Sequence, residues 1–272
     1  MARSSFLSAL LASAWLIACG ETHVTLLAPL IEGTDAGMPI DGGDAAATAP
    51  PSVEHLIHRY SFDGEGQRVL DSVGTADGSL QGGAVLDGAG HATLDGVDDY
   101  VNLPNGLISH LTDATLVAWL SWNGGPCWQR VFDFGSTDSG EDNVGNATTS
   151  LFATPKRCPG TGPATSFETS TSRIGSVDSD TAFPVLKVSL LAVVVDTSAQ
   201  RLRLYAAGEP LGTGKVASLS LLSDENDWLG RSQWVQDEYL RGTYDEFRIY
   251  DAALSDTELA ALEAAGPDSL GP

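Results

Sequence analysis

The sequence is short of positive charge. Lysine and arginine together number 14 against 36 acidic residues, a formal charge of −22 at pH 7. A chain this acidic is repelled by phosphate backbones and anionic headgroups, which excludes nucleic-acid binding and polybasic membrane contact. Divalent cations and neutral, hydroxyl-rich ligands suit it better. Catalytic signatures are also lacking: there is no Gly-x-Ser-x-Gly elbow and no His-Glu-x-x-His. Gly212-Thr213-Gly214-Lys215 fails as a phosphate loop, because Glu209 and Val216 stand where glycine and a hydroxyl residue are needed. Asp237 and Glu238 are adjacent, so on a strand they point to opposite faces. His55 and His58, three apart in an extended segment, likewise face opposite ways and make no metal pair. Helical periodicity is absent until the C-terminal end.

What is present begins with an export signal. Arg3 precedes the apolar run Phe6 to Ile17, followed by the small residues Ala18-Cys19-Gly20. This run is too short to span a membrane. Leu16-Ile17-Ala18-Cys19 resembles the lipobox of bacterial lipoproteins, which implies a signal peptide over 1–18 and lipidation of Cys19; ordinary secretion is the alternative, and both export the protein. Acyl chains on Cys19 would be the chain's one membrane contact, each buried methylene contributing about 0.8 kcal/mol. Gly20 after the cysteine fits outer-membrane sorting in a Gram-negative host, hence a cell-surface location. Residues 19–53, rich in Gly, Pro and Ala, read as a tether of roughly 30 Å.

With Cys19 assigned to lipid, Cys127 and Cys158 remain as an even pair in an oxidising compartment, which predicts a disulfide contributing about 3–4 kcal/mol in the chain-entropy picture. A metal site would need more Cys or His nearby, and a nucleophilic cysteine would need a base that neither Trp128 nor Arg157 supplies.

From Glu54 the chain turns to short apolar runs separated by Gly, Asp and Asn. Strands are predicted at 56–62, 84–86, 91–94, 100–103, 115–122, 130–134, 149–153, 187–195, 201–205, 227–230 and 239–250. Residues 188–195 are almost continuously apolar, as a strand covered on both faces would be, whereas Arg201-Leu202-Arg203-Leu204-Tyr205 alternates. One helix has start and stop signals: Ser255 as N-cap, Glu258 completing a capping box, Leu254, Leu259 and Leu262 on one face, and Gly266-Pro267 as terminator. It is expected on an end of the sandwich.

Tyr60-Ser61-Phe62-Asp63-Gly64, Asp71-Ser72-Val73-Gly74, Leu94-Asp95-Gly96-Val97-Asp98-Asp99-Tyr100-Val101, Ala118-Trp119, Arg130 to Gly135, Leu202 to Tyr205 and Tyr244 to Ser255 follow one another in order. Together they resemble laminin-G-like, concanavalin-A-like jelly-roll domains. The resemblance implies an all-β fold of two stacked antiparallel sheets over residues 54–266, with a short C-terminal helix and a tail at 267–272. The family is functionally mixed, so fold does not fix function. Its glucanases carry a Glu-x-Asp-x-x-Glu cluster on one strand, which has no equivalent here, so a non-catalytic module is expected rather than a glycoside hydrolase.

In related jelly rolls a calcium ion joins the first strand region to the last, which maps onto Asp63, Asp71 and Asp245; calcium takes six to eight oxygens from carboxylates and loop carbonyls. The carboxylates could instead satisfy turn amides. In pentraxin-like relatives the loop that here carries Asp138, Glu141, Asp142 and Asn143 contributes to a ligand site, and Cys127–Cys158 would brace it from both sides. A sugar face stacks on tryptophan; of Trp119, Trp122, Trp128, Trp228 and Trp234, Trp119 and Trp228 read as core, and Trp128 beside the cysteine and Trp234 in a polar run are the better candidates as platforms for carbohydrate. The expected partner is a glycan, or a cell-surface protein bound through the same fold. Convergence of the two tryptophans on a concavity with polar neighbours would favour sugar, and a flat apolar patch protein.

Overall fold

The computed structural model describes residues 53–270. The signal peptide expected over 1–18, the lipidation expected at Cys19 and nearly all of the tether expected over 19–53 lie outside them. Sixteen strands run in chain order: β1 (Leu56–Tyr60), β2 (Arg68–Val69), β3 (Gly78–Gln81), β4 (Val85–Leu86), β5 (Ala92–Asp95), β6 (Tyr100–Leu103), β7 (Ala114–Trp122) and β8 (Phe132–Thr137), then β9 (Ala147–Thr154), β10 (Ala164–Thr169), β11 (Ser172–Asp178), β12 (Val188–Asp196), β13 (Arg201–Ala206), β14 (Glu209–Lys215), β15 (Asn226–Leu229) and β16 (Arg241–Tyr250). They form two antiparallel sheets. The first is ordered β14-β13-β12-β7-β16-β5-β4 with β1 against β16, and the second β11-β10-β9-β8-β15-β6-β3-β2.

Alternation decides which side chains meet between the sheets. Leu116, Ala118 and Leu120 of β7, Leu191, Val193 and Val195 of β12, and Phe132 and Phe134 of β8 enter the shared core, where Phe132, Phe134 and Phe247 meet in tilted and edge-on contacts with ring centres 5.6–6.1 Å apart. The intervening Val117, Trp119, Leu190, Ala192 and Val194 form a second cluster on the outer face of the first sheet. There the helix α1 (Asp256–Ala265), with its Ser255–Glu258 capping box, covers them with Leu259 and Leu262. The helix therefore lies across a sheet face and not on an end, because β12 is apolar on both sides and needs a lid. The chain beyond it docks as well: Leu270 packs against this cluster, and the buried Arg248 donates to the Ser269 carbonyl at 2.9 Å.

Five strands escape the sequence pattern: β2, β3, β10, β11 and β14. The β10–β11 hairpin is built from Ser, Thr and Gly, and β14 contains Pro210, which an edge strand tolerates. The Gly212-x-Gly214-Lys215 motif has a packing role. A side-chain carbon on Gly214 would lie 2.2 Å from the Ser176 carbonyl oxygen, and one on Gly175 1.9 Å from that of Lys215, so glycine alone lets the edges of the two sheets approach this closely.

Candidate carbohydrate-binding site

Asp133 on β8 points away from the core, yet it is completely buried. Its Oδ1 accepts from the Ser150 hydroxyl at 2.5 Å, and its Oδ2 from Arg130 Nε at 3.1 Å and the Gln233 amide at 3.0 Å. Burial pushes this carboxyl up, against Arg130 and the hydrogen bonds that favour its charge. The result is a fixed point on the outer face of the second sheet, to which two loops are tied. Arg130 carries one of them: Nη1 donates to the Trp128 carbonyl at 2.7 Å, Nη2 to Asp237 at 2.6 Å, and the guanidinium lies 4.0 Å from the Phe152 ring centre. Gln233 carries the other, donating from Nε2 to the Asn226 carbonyl at 2.9 Å.

These ties bring Trp128 and Trp234, 106 positions apart in the chain, into the lining of one open cleft of about 230 Å³. Arg130, Phe152, Glu168, Arg173, Gln236 and Asp237 complete its lining. Trp128 sits at φ +69°, a conformation a bulky residue adopts only when its surroundings enforce it. The enforcement is visible: the Cys127–Cys158 disulfide precedes it, with Cα atoms 5.8 Å apart, and the Trp128 amide donates to the Lys156 carbonyl at 2.9 Å. Glu168 faces Arg173 at 3.0 Å, so the lining holds two carboxylates and two guanidinium groups, formally balanced. Glu168 uses Oε1 for Arg173 and Ser166, and Asp237 uses Oδ2 for Arg130 and Ser232, which leaves one acceptor oxygen on each.

Asp138, Asp142 and Asn143 do not line this cleft. Asp138 accepts from the Asn146 amide and side chain, both at 2.9 Å, Asp142 accepts from Asn102 Nδ2 at 2.9 Å, and Asn143 donates to the Glu141 carbonyl at 2.9 Å. The turn stiffens its own backbone and supports the Trp234 loop through paired bonds between Gly145 and residues 233 and 235. The disulfide does not brace this turn either; it joins the Trp128 loop to the β9–β10 connection. Trp119 and Trp228 are buried as expected, Trp228 beneath Arg231 at 4.0 Å on the outer face of the second sheet. Phe152, Glu168 and Arg173 carry no motif. Their signal is the polar alternation of β9 to β11, which only the pairing of those strands turns into a surface.

The three carboxylates expected to share a cation separate. Asp71 is fully committed: Oδ1 accepts the amides of Arg59, Val73 and Gly74, and Oδ2 that of Ala76 and His58 Nδ1 at 2.6 Å. In this arrangement it anchors the turn. Burial opposes its charge, but His58 and the amides outweigh burial and hold the carboxyl below its usual range. Asp245 lies beside His91, Oδ1 to Nε2 at 3.0 Å, and its Oδ2 is buried without a partner. Asp63 reaches the same neighbourhood, its Oδ1 lying 3.1 Å from where a side-chain carbon on Gly90 would sit. Asp95, Asp98 and Asp99 also gather within 4.8 Å, but Asp99 spends its oxygens on the amides of Gly83 and Asp95.

Two face-packed antiparallel sheets with a cleft on one outer face define a jelly-roll sandwich of the lectin type. The profile of the Concanavalin A-like lectin/glucanases superfamily matches residues 95–260, more than half of the chain, and the chain belongs to that family. No curated protein matches the sequence. Among solved structures it is similar to domain 4 of AbnA, a GH43 extracellular arabinanase from Geobacillus stearothermophilus in complex with arabinotriose, at 20% identity and a TM-score of 0.62 over 77% of this chain and 98% of that one. It is also similar to a Trypanosoma rangeli sialidase (16%, TM-score 0.54, 77% of this chain and 33% of that one) and to the receptor binding domain of a botulinum neurotoxin C/D mosaic serotype (12%, 0.54, 76% and 50%). At these identities the likeness is one of fold.

Proposed function

We propose that the protein binds neutral carbohydrate, without chemistry, in the cleft between Trp128 and Trp234. The observation that carries this reading is the convergence of the two tryptophans on one concavity with polar neighbours. Aromatic faces stack on the apolar face of a sugar ring, and the free oxygens of Glu168 and Asp237, with the Gln236 amide, receive its hydroxyls. The balanced charges favour an uncharged ligand, since both guanidinium groups already face a carboxylate. The arabinotriose held by the similar arabinanase domain agrees with such a ligand. Catalysis is disfavoured because Glu168 and Asp237 are each tied to an arginine and a hydroxyl.

Two accessory properties belong to the same reading. A structural calcium ion bound by Asp63 and Asp245 would meet the unpartnered Asp245 oxygen. Export with lipidation of Cys19 would place the domain on a tether at the outer membrane or cell surface, and mass spectrometry of the N-terminal peptide tests it: an acylated Cys19 supports the anchor, and an unmodified Cys19 excludes it. The glycan reading is tested by titrating residues 52–272 with neutral oligosaccharides. Binding that disappears in Trp234→Ala supports it, whereas no glycan bound would favour protein adhesion through the same fold.

A further inference from the structure

A second cavity lies on the opposite side of the molecule, between the outer face of the first sheet and the C-terminal end of α1. It measures about 230 Å³ and is lined by Trp119, Lys187, Val188, Leu190, Glu263 and Pro267, among others. Trp119 and Tyr205 are each only 2% exposed, and neither the Trp119 indole N–H nor the Tyr205 hydroxyl has a hydrogen-bond partner. Oε2 of Glu263 is buried and unpartnered as well. Tyr205 and Glu263 are near enough to influence each other's protonation: burial first, then the Glu263 charge, pushes the Tyr205 hydroxyl up to about 12, and burial raises the Glu263 carboxyl.

Buried polar groups are paired in native proteins with few exceptions, and each exception calls for an occupant or an explanation. Here an indole donor and a carboxylate oxygen line one cavity, with Tyr205 beside the carboxylate. The Trp119 ring cannot turn away to solve its own problem, because Arg248 covers it with the guanidinium 4.7 Å from the ring centre and Leu190 and Leu262 belong to the same apolar cluster.

We propose that this cavity is a binding site for a small neutral polyol, at most a single sugar unit, distinct from the Trp128–Trp234 cleft. A vicinal diol supplies what the site lacks, a hydroxyl oxygen to accept from the Trp119 N–H and a hydroxyl hydrogen to donate to Glu263. The carbon skeleton meets Val188, Leu190 and Pro267. Lys187 and Glu263 bring opposite charges to the lining, so no net charge on the ligand is needed. The volume is below the range of about 300–1,000 Å³ typical of drug-sized ligands, which restricts the occupant to a molecule of this size.

The test follows the Trp119 indole resonance in protein carrying 15N-labelled tryptophan, assigned with Trp119→Phe, while arabinose and, separately, glycerol are added. The expected result is a saturable displacement of that resonance by at least one probe. Glu263→Gln should weaken it by at least about fivefold, as the loss of a charge-assisted hydrogen bond demands, and Trp234→Ala should leave it unchanged. A linear, unsaturable drift with both probes would overturn the proposal and leave ordered water as the occupant. So would a saturable displacement that vanishes in Trp234→Ala, which would reassign the effect to the cleft.

Discussion

The Arg130 side chain donates from Nε to Asp133 and from Nη2 to Asp237, so one buried guanidinium joins a carboxylate beneath the cleft to one in its lining. Asp133 has no exposure and Arg130 is 2% exposed. Removing one partner of a buried pair leaves the other charge uncompensated, at a cost of about 3–5 kcal/mol. Asp133→Ala should therefore lower stability by that order in a denaturant titration, and should abolish glycan binding at temperatures where the variant is still folded. A variant that binds normally would show that the loop carrying Trp234 is held by other contacts.

The two tryptophans should act as anchors. Truncating a central aromatic of an interface commonly costs 2 kcal/mol or more. Trp128→Ala and Trp234→Ala should each weaken glycan binding by at least about tenfold while leaving the melting temperature within a few degrees. Calorimetric titration of both variants reads this directly.

The disulfide supports Trp128 and not the acidic turn. Cys127→Ala with Cys158→Ala should lower stability by about 3 kcal/mol. Because Trp128 at φ +69° depends on this support, glycan affinity should fall as well, whereas Asp138→Ala should leave affinity unaltered.

Asp71 gives a signed pH dependence. Its carboxyl lies below the usual range in the folded chain, so its contribution is complete above the unfolded value near 4 and is lost as pH falls through the folded value. Asp71→Asn should be less stable than the parent at pH 7 by about 1–3 kcal/mol, with the difference shrinking below about pH 4. Melting temperatures of the two proteins from pH 3 to 7 measure it.

Calcium removal tests the ends of the chain. Melting should fall in chelator and recover with added calcium, and Asp245→Asn should remove the response. Identical melting in both conditions would leave Asp245 as the partner of His91 alone.

The sequence announces the sandwich through strands whose alternation is local, and the helix through Ser255, Glu258 and Gly266. It also singles out Trp128 and Trp234, since large aromatics in polar runs need an explanation. What it hides is set by pairing between distant segments. Ser166 and Glu168 read as loop residues until β10 is placed between β9 and β11. Asp71 reads as a cation ligand because residue type does not reveal that five donors already surround it. The partners of the Asp138 turn are hidden for the same reason: its carboxylates serve Asn146 and Asn102, which only the fold names.

The most direct test of the central claim is a crystal structure, or a saturation-transfer NMR titration, of residues 52–272 with a neutral oligosaccharide such as arabinotriose, set against sialyllactose. The account predicts that the neutral sugar binds with a ring against Trp128 or Trp234 and that the anionic sugar binds more weakly. Binding of the anionic sugar alone, or of either sugar away from both tryptophans, would contradict it.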